Sequence, residues 1–300
     1  MRVALVFRKF CHWTVGYALE RAMTHHNIKY DWFDPNDLVN FQGHENFTVR
    51  KIGDWYDCTI VMDDGFGLQK ELLETVKRPV VFWGSDFHNG LQFYSPDFLE
   101  ACQKIYACEK TTGLENLRNA GFNNVEWLPH AYDEFGMWYE RGQDRIIPCS
   151  FVGSVSGNPE RLQLIDVINS LGGRAVTGIF RRELADVYAR SKIGIHLGQT
   201  LTGVTSTRGP QGIGMRPFEV MGCGSMLLMG GLPMNDFKDL FIVDREYSEF
   251  SDVGDLFDRI RYFLGKPIIM KNISDYGYNK IMLEHTFSSR LKVIGRELGF

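Results

Sequence analysis

Met215-Arg216-Pro217-Phe218-Glu219-Val220-Met221-Gly222-Cys223-Gly224-Ser225-Met226-Leu227-Leu228-Met229 decides the fold of this 300-residue chain. Its first half is a short apolar segment headed by a charged pair. After Gly-Cys-Gly it resumes as a run with the composition of a buried strand, so the stretch reads as helix, turn and strand of an α/β sheet. Residues three apart share one helix face, so Arg216 and Glu219 point together at whatever occupies the crevice before the helix. A guanidinium suits a diphosphate, and a carboxylate accepts hydrogen bonds from a pair of sugar hydroxyls.

The same alternation extends in both directions. Upstream, short apolar strands at 3–7, 28–33, 58–62, 79–83, 104–108 and 124–128 are interleaved with helical patterns near 14–23, 96–102 and 113–120. Such strands imply a parallel sheet covered on both faces. The polar segment 133–148, holding Gly136 and Gly142 and ending at Pro148, breaks the rhythm and reads as a linker. A second series comes after it: strand 149–152, helix 160–170, strand 175–179, helix 183–189 and strand 193–197. Beyond a glycine-rich loop come the Arg216 helix, strand 226–229, a strand near 240–243, helix 253–264 and a C-terminal helical region. The fold class is α/β, with two doubly wound domains at 1–140 and 149–300 and a cleft between the carboxyl ends of their sheets. The last helix has the reach to pack back on the N-terminal domain.

Composition narrows the function. The 44% apolar and 23% charged fractions are those of a soluble globular protein. A net charge of −4 with no Lys/Arg run argues against a sequence-independent grip on nucleic acid. The six cysteines show neither CxxC nor His/Cys ligand spacing and sit mostly in apolar runs, a pattern of reduced thiols. No apolar run approaches a membrane span, and Arg8 and Lys9 interrupt the N-terminal strand, so the expected location is cytoplasmic.

Several residues could carry chemistry. Gly153 and Gly157 precede a helix opened by Asn158-Pro159, a good N-cap and first-turn pair. Backbone N–H groups there, with Ser154 and Arg161, suit an anion. The loop from Gly198 to Gly214 is long, rich in hydroxyl side chains and contains Arg208; loops of that kind are usually functional. Its Gly212-x-Gly214 matches only half of a dinucleotide fingerprint, with no acidic residue at the required distance, so NAD is not expected. His25 and His26 read as solvated, and His196, in an apolar strand, reads as a core residue. His12, His88 and His130 each follow a strand of the first domain, and Asp86 stands beside His88; a carboxylate or imidazole there could serve as acid, base or orienting group. There is no D-x-D, and Asp63-Asp64 lacks further ligands, so no metal site is expected. Neither a G-x-S-x-G elbow nor a Walker A sequence occurs.

With these residues in place the chain resembles glycosyltransferases of the GT-B fold, which pair two Rossmann-like domains. It looks most like the family-1/4-type enzymes whose bacterial members include the CgeB-like spore-maturation proteins. The resemblance rests on Phe151-Val152-Gly153-Ser154, on Arg216 to Gly224 and on Glu284-His285-Thr286-Phe287-Ser288-Ser289-Arg290-Leu291. In the first domain it rests on Phe82-Trp83-Gly84-Ser85-Asp86 and on Trp127-Leu128-Pro129-His130-Ala131-Tyr132-Asp133. It implies a nucleotide-diphosphate sugar on the C-terminal domain, an acceptor (glycan, lipid or protein) on the N-terminal one, and no cofactor beyond the donor. Glu219 would then hold the donor ribose, Gly153 and Ser154 the diphosphate, with Arg161 and Arg208 as further donor contacts. Asp86, His88 and Arg216 would be the catalytic set, Arg216 being assigned from the chemistry of phosphate departure. The retaining members carry a second glutamate eight positions earlier, whereas this chain has Gln211. Competing readings are a phage-type transferase acting on modified DNA bases, a sugar-nucleotide epimerase or hydrolase of the same fold, and a non-catalytic binding protein.

Overall fold

A computed structural model describes residues 1–9, 15–35, 55–62, 78–85, 87, 91–140, 142–155, 159–198, 213–231 and 235–300. They form two compact units: Met1–Pro129 together with Phe287–Phe300, and His130–Thr286.

The first unit holds a six-stranded parallel sheet: β1 (Arg2–Val6), β2 (Lys29–Phe33), β3 (Cys58–Met62), β4 (Val80–Gly84), β5 (Lys104–Ala107) and β6 (Val125–Trp127), in the order β2-β1-β3-β4-β5-β6. The central strands β3 and β4 are apolar at almost every position and wholly buried, because a parallel sheet is covered on both faces. Edge strand β2, with Lys, Tyr and Asp, is only partly covered. Helices α1 (Val15–His25), α2 (Pro96–Ala101) and α3 (Glu115–Asn119) belong to this unit. The helix expected near 113–120 is preceded by a wider π turn at Lys110–Leu114 and is α-helical only over Glu115–Asn119.

The second unit holds a five-stranded parallel sheet: β7 (Ile147–Val152), β8 (Arg174–Val176), β9 (Ser191–Leu197), β10 (Met226–Gly230) and β11 (Ser248–Phe250), in the order β11-β10-β9-β7-β8. Counted within the unit this is the 2-1-3-4-5 doubly wound order. Side chains alternate across β10: Met226 and Leu228 join the core on one face, Leu227 and Met229 that on the other. Its helices are α4 (Pro159–Ser170), α5 (Arg181–Ala189), α6 (Arg216–Gly222), α7 (Asn235–Lys238), α8 (Val253–Gly265) and α9 (Pro267–Glu284).

Two expectations are revised. Segment 133–148, read as a linker, lies inside the second unit. Asp133 Oδ1 accepts from the Gly136 N–H at 2.9 Å, and the half-buried Arg145 guanidinium donates to the carbonyls of Tyr188 (3.1 Å), Ser191 (2.8 Å) and Cys223 (3.1 Å). No strand forms at 240–243. After α7 the chain turns, closes on a single Val243–Tyr247 bridge and enters the short β11 instead. The final helix, α10 (Phe287–Leu298), is part of the first unit, where Phe287 lies 5.7 Å from Trp83 and Arg290 Nε donates to the Pro129 carbonyl at 2.7 Å.

Helix α6 carries the Arg216–Glu219 pair, and its own sequence sets both of its ends. Pro217 in its first turn presets φ and brings no orphan N–H. Gly224 ends it in the left-handed region at φ +72°, and the Ser225 N–H reaches back to the Val220 carbonyl at 3.2 Å. Every residue from Pro217 to Gly222 is buried, and Phe218 packs on Phe237, Phe241 and His285. Burial of a side chain that size stabilises by about 1.5–3 kcal/mol. The helix lies tight against β9 because Gly194 has no Cβ: one placed there would sit 2.4 Å from a Val220 methyl.

Candidate functional site

In doubly wound sheets a ligand sits outside the carboxyl ends of the strands where the winding reverses. In the second unit that point lies between β7 and β9. β7 ends at Val152 and runs into Gly153 and Ser154; β9 ends at Leu197, with His196 one residue earlier. Helices α4 and α6 begin nearby and carry Arg161, Arg216 and Glu219.

Arg216 is held on two sides. Its Nε donates to the Val152 carbonyl at 3.1 Å, and its Nη1 donates to Glu219 Oε2. Among the described residues no hydrogen bond engages Nη2 or Glu219 Oε1. The Arg216 side chain keeps 26% of its surface exposed and that of Glu219 keeps 9%. One donor of the fork and one oxygen of the carboxylate thus remain for a ligand. Burial pushes the Glu219 carboxyl up, Arg216 pulls it back, and Asp133, itself buried, pushes it up again. Burial opposes the Arg216 charge, but Glu219 and then the buried Tyr188 outweigh it.

Arg161 Nη1 donates to the Ser154 carbonyl at 2.5 Å, and its guanidinium lies 5.9 Å from the Phe151 ring centre. Burial lowers its affinity for its proton, since a low-dielectric site disfavours the charged form. Ser154 is exposed. Gly153 departs from the simplest reading, because its N–H donates to the Val176 carbonyl at 3.1 Å. That donor is committed to the sheet, so what Gly153 offers a phosphate is close backbone approach, not a hydrogen bond.

His196 is the residue that sequence reasoning missed. It reads as a core position because its strand is apolar, yet it is half-buried at the end of β9 beside Arg161 and Arg216. Burial and those two cations push its imidazole down to about 3, so it is neutral at ordinary pH. Only the strand order, which places β9 beside β7, could have flagged it. The site is therefore two guanidinium groups, a neutral imidazole and a carboxylate around the reversal point, an arrangement suited to an anion joined to a polyol.

The other expected site residues, Asp86, His88 and Arg208, lie outside the described residues, as do His12, Gln211 and Asp63-Asp64. Among the described residues no three His, Cys, Asp or Glu side chains are grouped as metal ligands. His130 is buried. No described helix is long and apolar enough to cross a membrane.

A family profile described as "Glycosyl transferase-like" matches residues 148–295. Among solved structures the chain is similar to Anabaena Alr3699/HepE, crystallised with UDP and glucose, at TM-score 0.64 and 11% identity over 100% of this chain and 99% of that one. It is similar to sucrose-phosphate synthase from Thermosynechococcus elongatus, at TM-score 0.65 and 11% identity with the same coverage. TarM of S. aureus aligns at TM-score 0.57 and 10% identity, over 81% of this chain and 55% of that one. No curated protein matches the chain in sequence. The fold is that of GT-B glycosyltransferases, and residues 148–295 are a glycosyltransferase-like domain.

Proposed function

We propose that the chain is a glycosyltransferase that moves a sugar from a nucleotide-diphosphate sugar to an acceptor, with the donor held at the carboxyl ends of β7 and β9. The observation that carries this reading is the gathering of Arg161, His196, Arg216 and Glu219 at the winding reversal of a glycosyltransferase-like domain. UDP-glucose is the first donor to test, since a similar structure holds UDP and glucose.

Cleaving the anomeric bond leaves an oxocarbenium-like sugar and a nucleotide diphosphate that gains negative charge. Arg216 Nη2 and Arg161 stabilise that charge, and Glu219 Oε1 accepts from the donor ribose. A neutral His196 donates one further hydrogen bond without the electrostatic cost of a third cation. Helix α6, with seven residues, supplies little dipole, so the charge comes from side chains. Removing one such preorganised donor typically costs about 2.7–4 kcal/mol of barrier. This chemistry calls for no metal. Asp86 and His88 remain the proposed acceptor-side acid/base pair. The acceptor class is glycan, lipid or protein, with a modified DNA base as the rival. A CgeB-like affiliation and a cytoplasmic setting complete the reading; the five described cysteines are free and buried.

The test is release of UDP from UDP-glucose, with and without candidate acceptors. Acceptor-dependent release together with glycosylated product supports transfer. Equal release without acceptor makes the protein a hydrolase, and conversion to another UDP-sugar makes it an epimerase.

A further inference from the structure

At the opposite end of α6 from Arg216 lies a groove of about 320 Å³ between segment 132–140 and α9. Gly222 forms part of its floor. Six residues at 1.5 Å rise put that point about 9 Å along the helix from Arg216, and Gly224 leads from there into the amino end of β10. The groove is therefore at the other edge of the sheet from the Arg216–Glu219 pair.

Its walls have a distinct chemistry. Trp138, Tyr139 and Tyr278 supply aromatic surface over the buried Tyr132, and Glu134 and Glu140 supply carboxylates, with no Lys, Arg or His among the described lining residues. The Tyr132 and Tyr139 hydroxyls are anchored on the carbonyls of Met137 (3.0 Å) and Gly222 (3.4 Å), which fixes their rings. Trp138 is 62% exposed at the rim, with the Arg182 guanidinium 5.4 Å from its ring centre. A diphosphate or other anion would meet two carboxylates in the walls. A neutral pyranose fits: its C–H face lies on aromatic rings, and its hydroxyls donate to carboxylates. The volume is at the small end of ligand pockets, enough for one or two sugar rings.

We propose that this groove is a second saccharide site, separate from the donor site, which holds a neutral glycan on the donor-binding unit while the donor turns over. The choice of a saccharide over another neutral polyol rests on the transferase reading.

The test is saturation-transfer NMR on the full chain with maltose, cellobiose and chitobiose as probes, choline as a cationic control, and UDP in the same sample. At least one disaccharide should receive saturation from the wild type. That signal should weaken roughly tenfold in Trp138→Ala and fall in Glu140→Gln, with the UDP signal unchanged in both. Trp138 is exposed and Glu140→Gln is nearly isosteric, so neither should unfold the protein. Absence of any disaccharide signal, a signal indifferent to Trp138→Ala, a response to choline alone, or loss of UDP binding in these variants would each overturn the proposal. A wild type that binds a disaccharide through Trp138 but no UDP would sink the donor assignment and leave the groove standing.

Discussion

Arg216 Nε donates to the Val152 carbonyl at 3.1 Å, tying the first turn of α6 to the last residue of β7. This bond aims the guanidinium, because Nη1 is committed to Glu219 and the fork is planar. Lysine cannot reproduce it. Arg216→Lys is expected to keep the charge, lose the fork, and lower kcat/KM for the donor by a factor equivalent to about 2.7–4 kcal/mol. Its melting temperature should fall modestly, because the buried Val152 carbonyl loses its Arg216 donor. Steady-state kinetics beside calorimetry check both parts; unaltered turnover would remove Arg216 from the phosphate site.

His196 makes stability depend on pH. Its imidazole is held down to about 3 in the folded chain against 6.5 for the free group, so below pH 6.5 the unfolded state binds more protons than the folded one. Stability contributed by the neutral imidazole is complete above about 6.5 and is lost as pH falls toward 3. The slope is at most about 1.4 kcal/mol per pH unit. Urea titrations from pH 7 to 4 should show His196→Gln losing less stability on acidification than wild type. Parallel curves would show that His196 titrates normally.

Gly194 and Val220 set the spacing of α6 over β9. Gly194→Ala should destabilise by about 1–3 kcal/mol through overpacking, since its Cβ would lie 2.4 Å from a Val220 methyl. Adding Val220→Ala should recover part of that loss, a coupling a double-mutant cycle in denaturant would expose. Strict additivity of the two changes would refute the contact.

Arg145 is a structural clamp. Its guanidinium serves three carbonyls at the ends of α5, β9 and α6, and Ser225 Oγ lies 3.4 Å from Nη1. The Ser225 hydroxyl also reaches the Tyr188 and Ser191 carbonyls, at 2.5 and 2.9 Å, so the Cys223 carbonyl is the acceptor that loss of Arg145 strands, at about 1–3 kcal/mol. Arg145→Met should therefore lower the urea midpoint clearly, and Arg145→Lys, with a compact ammonium, should recover only a fraction. A midpoint unchanged in Arg145→Met would mean that water satisfies that carbonyl.

The cysteines should behave as core residues. Burial pushes Cys58 up to about 11 and Cys102 and Cys149 up to about 12. Disulfide-exchange reagents at pH 8 should leave these three untouched in the folded protein and label them once urea unfolds it. Rapid labelling of any of the three in the native state would contradict their burial.

Much of this architecture can be read from the chain because both sheets are parallel and covered. Cys58–Met62 and Val80–Gly84 are continuous apolar runs, and α6 carries its own boundary marks in Pro217 and Gly224. Composition misleads where a segment is polar yet anchored. Segment 133–148 looks like a linker, but Asp133 and Arg145 are held by backbone groups, those of Arg145 distant in sequence, which no local pattern reveals. It misleads again at Leu240–Val243, where apolar residues fill a turn, while the true strand, Ser248–Phe250, is short and partly polar. His196 escaped because an apolar strand predicts burial, whereas its role depends on which strand lies next to it. The meeting of Arg216 and Glu219 was legible, because residues three apart share one helix face.

The most direct test of the donor site is a thermal-shift titration with UDP-glucose and free UDP, then with the GDP, ADP, CDP and dTDP counterparts, on wild type, Arg161→Gln and Glu219→Gln. At a hundred times its dissociation constant a ligand adds about 2.7 kcal/mol of stability. One nucleotide class should stabilise the wild type by about that amount, and both substitutions should abolish most of the shift. A shift of equal size in all three proteins, or none with any nucleotide, would contradict a donor site at the carboxyl ends of β7 and β9.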